Sequence, residues 1–331
     1  MNDEHFFADP GLRALYPFES QSHYLRLSNG HLLHYLDQNC GPDDGTSCGP
    51  NDRVIFLLHG NPTWSFFFRE IFKMATELHS SNVRLRLRLI APDHLGMGLS
   101  DKPQCANYTY SLSNHIQNLV ELKEHLGIQR FSLVMHDWGG AIGMGLAQRY
   151  YQQVERLVLM NTAAFCSYDI PWRIFLGKIP YLGELVIRGF NAFSWAATWM
   201  AVNKKLSPTV RKGFLFPYQN YQQRVAVAQF VKDIPLHRWH PSYVQLKYIE
   251  TGLELFAGKQ VAKLFLWGAK DFCFHLGFLR RWQTIWRENE CGSETVIYPD
   301  AGHYLLEDAY PAVQKKILDF LSATEANSAT S

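Results

Sequence analysis

One aspartate in this 331-residue sequence has the type and surroundings of a reactive group. Asp137 lies in the segment MHDWGG, residues 135–140, which follows an apolar run and precedes a helix-like segment. The glycines after Asp137 permit a sharp turn from strand to helix. An aspartate of ordinary pKa is ionised at pH 7 and can attack carbon without a base. The alternative interpretation is that Asp137 only caps the following helix.

Three further motifs stand at the ends of apolar, strand-like runs. HGNPTW begins at His59 and contains Asn61, WGAKD ends at Asp271, and DAGH ends at His303. Taken alone, HGNP is a turn signal and a single histidine is more often structural. Ligands gather at the carboxyl ends of parallel strands, however, so motifs in this order predict one shared site. We expect His303 to be the base, Asp271 its acid partner, and the Asn61 N–H an anion donor.

Strand-like and helix-like segments alternate along most of the chain, which predicts an α/β fold with a mostly parallel sheet flanked by helices. Asn29-Gly30 predicts an early hairpin, and buried strands are predicted near 54–58, 89–91, 131–135, 154–160, 264–267 and 295–298. Residues 164–253 contain helices but no convincing strand, which predicts a helical lid after the sixth strand. The predicted core covers 1–163 and 254–322, with a disordered tail over 323–331.

Composition narrows the functional classes. Apolar residues make up 47% and charged residues 19%, so a large core is available, and a net charge of +2 gives no sign of a nucleic-acid partner. No C-x-x-C pair occurs among the six cysteines, so we expect neither metal nor cofactor. Cys40 and Cys48 share a polar loop and are either bridged or free thiols. No signal-peptide pattern or bilayer-length apolar stretch is found, and a cytoplasmic protein is expected.

Aromatic residues are concentrated in the predicted lid. They predict an apolar tunnel for a small apolar substrate, although packing of the lid on the core accounts for many of them. Any exposed remainder favours a homo-oligomer. The aromatics are Phe165, Trp172, Phe175, Phe190, Phe193, Trp195 and Trp199.

The sequence resembles the α/β-hydrolase superfamily over most of its length, and haloalkane dehalogenases in particular. The segments that carry the resemblance are HGNPTWSFFFRE, APDHLGMGLSDKP, HDWGGAIG, WGAKDF and AGHYLLED. The turn matches the superfamily pattern G-x-S-x-G, with Asp137 in the serine position and Met135 replacing the first glycine. The resemblance implies that Asp137 is the nucleophile and that Asn61 and Trp138 hold the leaving halide. It also assigns the acid to Asp271, because Asn161 stands where some dehalogenases carry a glutamate.

A finer resemblance extends over MNTAAF, DIPLHRWHPSY, KDFCF and AGHYLLEDA. These segments are similar to the third dehalogenase subgroup, which overlaps with β-lactone decarboxylases of long-chain olefin biosynthesis. The main interpretation is hydrolytic dehalogenation through an alkyl ester on Asp137, with its oxyanion held by the Asn61 and Trp138 N–H groups. The alternative is β-lactone decarboxylation to a cis-alkene.

Two weaker alternatives are an epoxide hydrolase and a non-catalytic ligand receptor on the same fold. An epoxide hydrolase needs a lid tyrosine to protonate the epoxide oxygen. The tyrosines of the predicted lid are Tyr168, Tyr181, Tyr218, Tyr221 and Tyr243.

Overall fold

A computed structural model describes residues 3–40, 53–80, 87–257, 261–286 and 293–323. The predicted tail beyond Ala323, and Cys48 with its possible bridge, lie outside these residues. Within them, the strands that form the central sheet are β1 (Ser22–Arg26), β2 (Leu32–Cys40), β3 (Arg53–Leu58), β4 (Leu87–Pro92), β5 (Phe131–Asp137), β6 (Val154–Thr162), β7 (Ala262–Gly268) and β8 (Ser293–Tyr298).

The strand order in the sheet is β1-β2-β4-β3-β5-β6-β7-β8. β1 and β2 form an antiparallel hairpin, and β2 also pairs antiparallel with β4, whereas the other neighbouring strands are parallel. Gly30 has a φ of 87° at the hairpin turn, a conformation that glycine adopts without strain. This arrangement confirms the predicted α/β fold with its antiparallel edge.

Helices cover the sheet and form the connection between β6 and β7. Those outside that connection are α1 (Asp3–Phe7), α2 (Pro10–Leu15), α3 (Arg69–Ser80), α4 (Leu112–His125), α5 (Trp138–Arg149), α13 (Leu276–Trp286), α14 (Leu305–Asp308) and α15 (Ala312–Ser322). Those between β6 and β7 are α6 (Trp172–Leu176), α7 (Leu182–Glu184), α8 (Ala192–Met200), α9 (Pro208–Leu215), α10 (Val225–Lys232), α11 (Tyr243–Gly252) and α12 (Glu254–Ala257).

The sheet separates two hydrophobic cores. Phe56 and Leu58 of β3 pack in the core that includes α4, α5 and α13, while Ile55 and Leu57 pack in the core that includes α3 and α15. Because side chains alternate across a strand, burial on both faces requires consecutive apolar residues. This explains why the central strands appear in the sequence as continuous apolar runs.

The helical insertion follows β6, as predicted. α11 packs against α4 and α5, so this last part of the predicted lid adjoins the helical layer on the sheet. The exact lid boundaries at residues 164 and 253 stay a prediction. Within the described ranges, no helix combines the length and apolar character needed to cross a bilayer.

Candidate active site

Asp137 stands at the junction between β5 and α5. Its backbone has a φ of 52° and a ψ of −127°, a conformation that costs a non-glycine residue about 1–3 kcal/mol. The Thr162 hydroxyl at the end of β6 donates to the Asp137 carbonyl oxygen at 2.5 Å. Thr162 therefore helps to hold Asp137 in a strained turn. The Asp137 side chain lines a cavity.

The carboxylate of Asp137 is held by two backbone N–H groups. Its Oδ1 accepts hydrogen bonds from Asn61 N at 2.9 Å and from Trp138 N at 2.6 Å. These are the two N–H groups that the sequence predicted to hold an oxyanion. A Cβ on Gly60 would lie 2.1 Å from Asp137 Oδ1, so this close approach requires glycine. The Trp138 contact also makes Asp137 the N-cap of α5. A capping role and a reactive role for Asp137 are therefore compatible.

His303 lies between two carboxylates. Its Nδ1 is 2.8 Å from Asp271 Oδ2, and its Nε2 is 3.4 Å from Asp137 Oδ2. Burial lowers the pKa of His303, but the charges of Asp271 and Asp137 and their hydrogen bonds outweigh burial and raise that pKa to about 10. Burial raises the pKa of Asp137, while the His303 contact more than offsets this and holds it below its usual value.

The raised pKa of His303 favours an imidazolium at neutral pH, placed between the side chains of Asp137 and Asp271. Because the pKa of His303 is raised, its charge pairing stabilises the fold below the ordinary histidine pKa, and this contribution is lost as the pH rises through about 10.

Asp271 is itself held by Cys273 N, which donates to its Oδ1 at 2.7 Å. In the described part of the chain, no group of three or more His, Cys, Asp or Glu side chains is arranged to hold a metal ion.

The two predicted leaving-group donors both line the cavity, but their side chains differ in availability. Asn61 Nδ2 donates to Val227 O of α10 at 3.1 Å, and Asn61 Oδ1 is buried without a hydrogen-bond partner among the described residues. The Trp138 ring packs edge-on against Phe230, with ring centroids 5.4 Å apart. One hydrogen of the Asn61 amide is thus already used by the lid.

A cavity of about 390 Å³ lies above Asp137, between the sheet edge and the lid. Its walls are mostly apolar and include Ile174, Ala197, Leu246 and Phe278. Of the seven lid aromatics, Phe165 and Phe193 line the cavity, while Trp172, Phe175, Phe190, Trp195 and Trp199 are exposed. None of the five lid tyrosines is among the described residues that line it.

Asn161 and His136 each make a hydrogen bond that supports the site. The sequence motifs did not predict these two contacts. Asn161 Oδ1 accepts from Gly268 N at 2.8 Å, which joins the ends of β6 and β7. Burial and the nearby His303 charge lower the pKa of His136 to about 3, so its ring is neutral. His136 Nε2 donates to His303 O at 2.9 Å and fixes the backbone of the candidate base.

Asp308 is a further site-supporting residue that sequence reasoning missed, although it lies within the AGHYLLEDA segment. This buried carboxylate accepts hydrogen bonds from Gly302 N at 2.7 Å, from Lys204 N at 2.7 Å, and from Asn203 N at 2.8 Å. Tyr304 N also donates to Ala201 O at 2.7 Å. The loop that carries His303 is therefore tied to the lid segment after α8 at two points.

We expect Asp308→Asn to slow turnover by about tenfold and to destabilise the fold by about 1–3 kcal/mol, because an amide cannot accept all these N–H bonds and His303 would shift. The pH–rate profile should shift as well, since the His303 pKa depends on its position between the carboxylates. Asp300→Asn is the matched control, because exposed Asp300 on the same loop contacts only Lys270 among the described residues. A wild-type rate, melting temperature and pH profile for Asp308→Asn would contradict this role.

Comparisons with known proteins identify the fold family. The α/β hydrolase fold family matches residues 53–310. A cis-3-alkyl-4-alkyloxetan-2-one decarboxylase from Shewanella oneidensis is 36% identical over 95% of this chain and 92% of its own length. Haloalkane dehalogenase 2 from Mycobacterium tuberculosis is 29% identical over 95% of this chain and 98% of its own. The crystal structure of haloalkane dehalogenase DbeA from Bradyrhizobium elkani covers 91% of this chain and 97% of its own, with a TM-score of 0.76 at 22% identity. The chain therefore belongs to the α/β-hydrolase fold family and is related to both the oxetan-2-one decarboxylases and the haloalkane dehalogenases.

Proposed function

We propose that this protein is a β-lactone decarboxylase that converts a cis-3,4-dialkyl oxetan-2-one into carbon dioxide and a cis-alkene. Over an equal share of this chain, identity to the decarboxylase exceeds identity to the dehalogenase. One observation at the site carries the same preference: Asn61 Nδ2 donates to Val227 O, which limits its capacity to hold a departing halide. The decarboxylase alternative is therefore placed ahead of dehalogenation, which was the main interpretation of the sequence.

The first proposed step opens the ring at Asp137. Its Oδ1 is held by two N–H groups, so Oδ2 is the freer oxygen for attack. Oδ2 attacks ring carbon 4, the C4–O bond breaks, and its electron pair leaves with the ring oxygen. The product is an alkyl ester on Asp137 that carries a free carboxylate on carbon 3. Release of ring strain drives this step, and the configuration at carbon 4 inverts.

The second proposed step releases the alkene. The bond between carbon 3 and the carboxylate breaks, and its electron pair forms the C3=C4 double bond. As this double bond forms, the bond from carbon 4 to Asp137 breaks in the same step, and its electron pair restores the aspartate carboxylate. Anti elimination after one inversion converts a cis ring into a cis-alkene. The cycle consumes no water and transfers no net proton, which suits an apolar cavity.

His303 acts electrostatically in this scheme. Its imidazolium lies beside Asp137 Oδ2 and would stabilise the carboxylate that forms when the ring opens. Asp271 keeps the ring in place through Nδ1. The proposed role is therefore that of a cation for decarboxylation, whereas ester hydrolysis in a dehalogenase requires His303 as a base.

Haloalkane hydrolysis is the second candidate function. It is favoured by Trp138, which lines the cavity and whose indole N–H has no hydrogen-bond partner among the described residues. The epoxide hydrolase alternative is less well supported, since it needs a lid tyrosine at the site and the described cavity lining includes none of the five. Direct measurement of turnover separates either enzyme from the receptor alternative.

The first test offers the purified protein a long-chain cis-β-lactone and a 1-bromoalkane in parallel. We expect catalytic release of the cis-alkene and carbon dioxide from the lactone, and a lower kcat/KM for bromide release. Asp137→Asn should abolish both activities with an unchanged melting temperature, because an amide is a poor nucleophile. Mass spectrometry must exclude deamidation. Turnover of bromoalkane alone would overturn the proposal in favour of dehalogenation.

The second test follows oxygen and His303. In ¹⁸O-water, lactone turnover should leave Asp137 unlabelled, whereas ester hydrolysis would place label in its carboxylate. His303→Phe should slow alkene formation by about 10²-fold without stopping it, the usual scale for one electrostatic donor. With a bromoalkane, the same variant should release about one bromide per site and retain the alkyl mass on Asp137. Labelled Asp137 after lactone turnover would refute the water-free scheme.

A third test separates the two leaving groups. Trp138→Phe should slow any bromide release by about 10²-fold, because halide leaves as a separate anion that needs donors. Asn61→Ala should slow bromide release less, because the Asn61 side chain already donates to Val227 O. Alkene formation should change less in Trp138→Phe, since the leaving carboxylate stays on the substrate next to His303. Equal losses on both substrates would indicate a shared leaving-group site and count against this distinction.

A further inference from the structure

The outer surface of the lid carries a dense group of exposed apolar side chains. We define the apolar collar as Trp172, Phe175, Leu176, Leu182, Leu185 and Val186, all of which are exposed. They come from α6, α7 and the π-helical turn Leu185–Gly189, which directly follows α7. Contiguous apolar surface of this kind marks an interaction site.

The cavity above Asp137 extends to this collar. Leu176, Leu182 and Val186 line the cavity and are nevertheless 44%, 48% and 39% exposed. These three side chains are exposed and also line the cavity, so one side of the collar lies at an opening of the cavity. An apolar molecule that passes through this opening would move from an apolar surface into a mostly apolar cavity, past the exposed charges of Asp169 and Arg173.

The segment that carries the collar contains more basic than acidic residues. Residues 170–213 contain seven Lys or Arg and one acidic residue, Glu184, although Arg188 is buried, Lys212 pairs with Asp9, and exposed Asp169 directly precedes the segment. Glu184 is paired with Arg188 and Lys232. Arg173 is exposed at the cavity lining, with its guanidinium 5.4 Å from the Trp172 ring centroid. Arg173 therefore places a positive charge beside the collar that can pair with an anionic headgroup.

We infer that the apolar collar docks on an anionic lipid surface, from which apolar substrate enters the cavity directly. Exposed tryptophan, leucine and phenylalanine beside cations are typical of peripheral membrane binding. A second copy of the chain fits less well, because a two-fold interface would bring the excess positive charge of two such segments together. This inference goes beyond the proposed function and does not depend on which reaction occurs at Asp137.

The test measures flotation of the full chain with vesicles, without any substrate. Wild type should float with vesicles that contain phosphatidylglycerol, and pure phosphatidylcholine or high salt should weaken binding. The combined variant Trp172→Ser, Phe175→Ser and Leu185→Ser should bind at least about tenfold less tightly. These three residues do not line the cavity, so its shape is kept. Val244→Ser with Tyr248→Ser is the matched control, because both side chains are exposed on α11, which packs on α4, α5 and α12.

A second arm removes charge only. Arg173→Gln should weaken binding to phosphatidylglycerol vesicles by about fivefold and should leave the fold intact. The inference is overturned if wild type does not float with either vesicle type, or if the triple serine variant floats like wild type. It also fails if wild type binds no vesicles and sedimentation shows an oligomer that the triple variant dissociates, because the collar is then a subunit interface.

Discussion

The strained turn at Asp137 is the constraint around which the site is built. A left-handed backbone conformation at the end of β5 brings the carboxylate within hydrogen-bond distance of the Asn61 and Trp138 N–H groups. The turn is possible because residue 60 has no Cβ and because Thr162 holds the Asp137 carbonyl. Strain in one residue is thus balanced by contacts from the loop after β3, from α5 and from β6, which fix the Asp137 carboxylate before any substrate binds.

The same site suits two reactions that share an alkyl ester on Asp137. They differ in the source of the electron pair that cleaves this ester. In the proposed lactone reaction, the bound substrate itself supplies that pair through its own carboxylate, and the aspartate is released again. A haloalkane leaves an ester without such a pair, so water and a base must finish the cycle. The row formed by Asp137, His303 and Asp271 would serve either proposed course. The Asp137 charge helps to raise the pKa of His303, so loss of that charge in an ester would lower this pKa and favour His303 as a base.

The sequence was sufficient for the fold and for the position of the main site residues. Parallel strands that are buried on both faces appear in the sequence as apolar runs. The motifs that contain Asp137, Asp271 and His303 come directly after such runs, so local sequence was enough to find them. The structure brings the three residues together. Their catalytic roles stay predictions. The contacts that depend on distant segments were not found. Asp308 meets Asn203 from 105 residues away, and the Asn61 side chain meets Val227 from 166 residues away. No local pattern specifies such pairs.

The lid illustrates the same limit. Its aromatic content indicated an apolar insertion, but periodicity could not separate the side chains that face the cavity from those that face outward. Only Phe165 and Phe193 of the seven aromatics line the described cavity wall. Short helices, a π-helical turn and positive φ values at Tyr181 and Asn191 set these directions, and none of these features has a strong sequence signature.

The attachment of the lid through Asp308 has a consequence for protein engineering. Because backbone N–H groups of residues 203 and 204 bind the same carboxylate that holds Gly302, the insertion is not an independent module. A chimaera that receives a relative's lid would have to preserve the backbone path at this junction, whatever side chains it introduces. Loop grafting that starts and ends at β6 and β7 would change substrate access and the placement of the imidazole together.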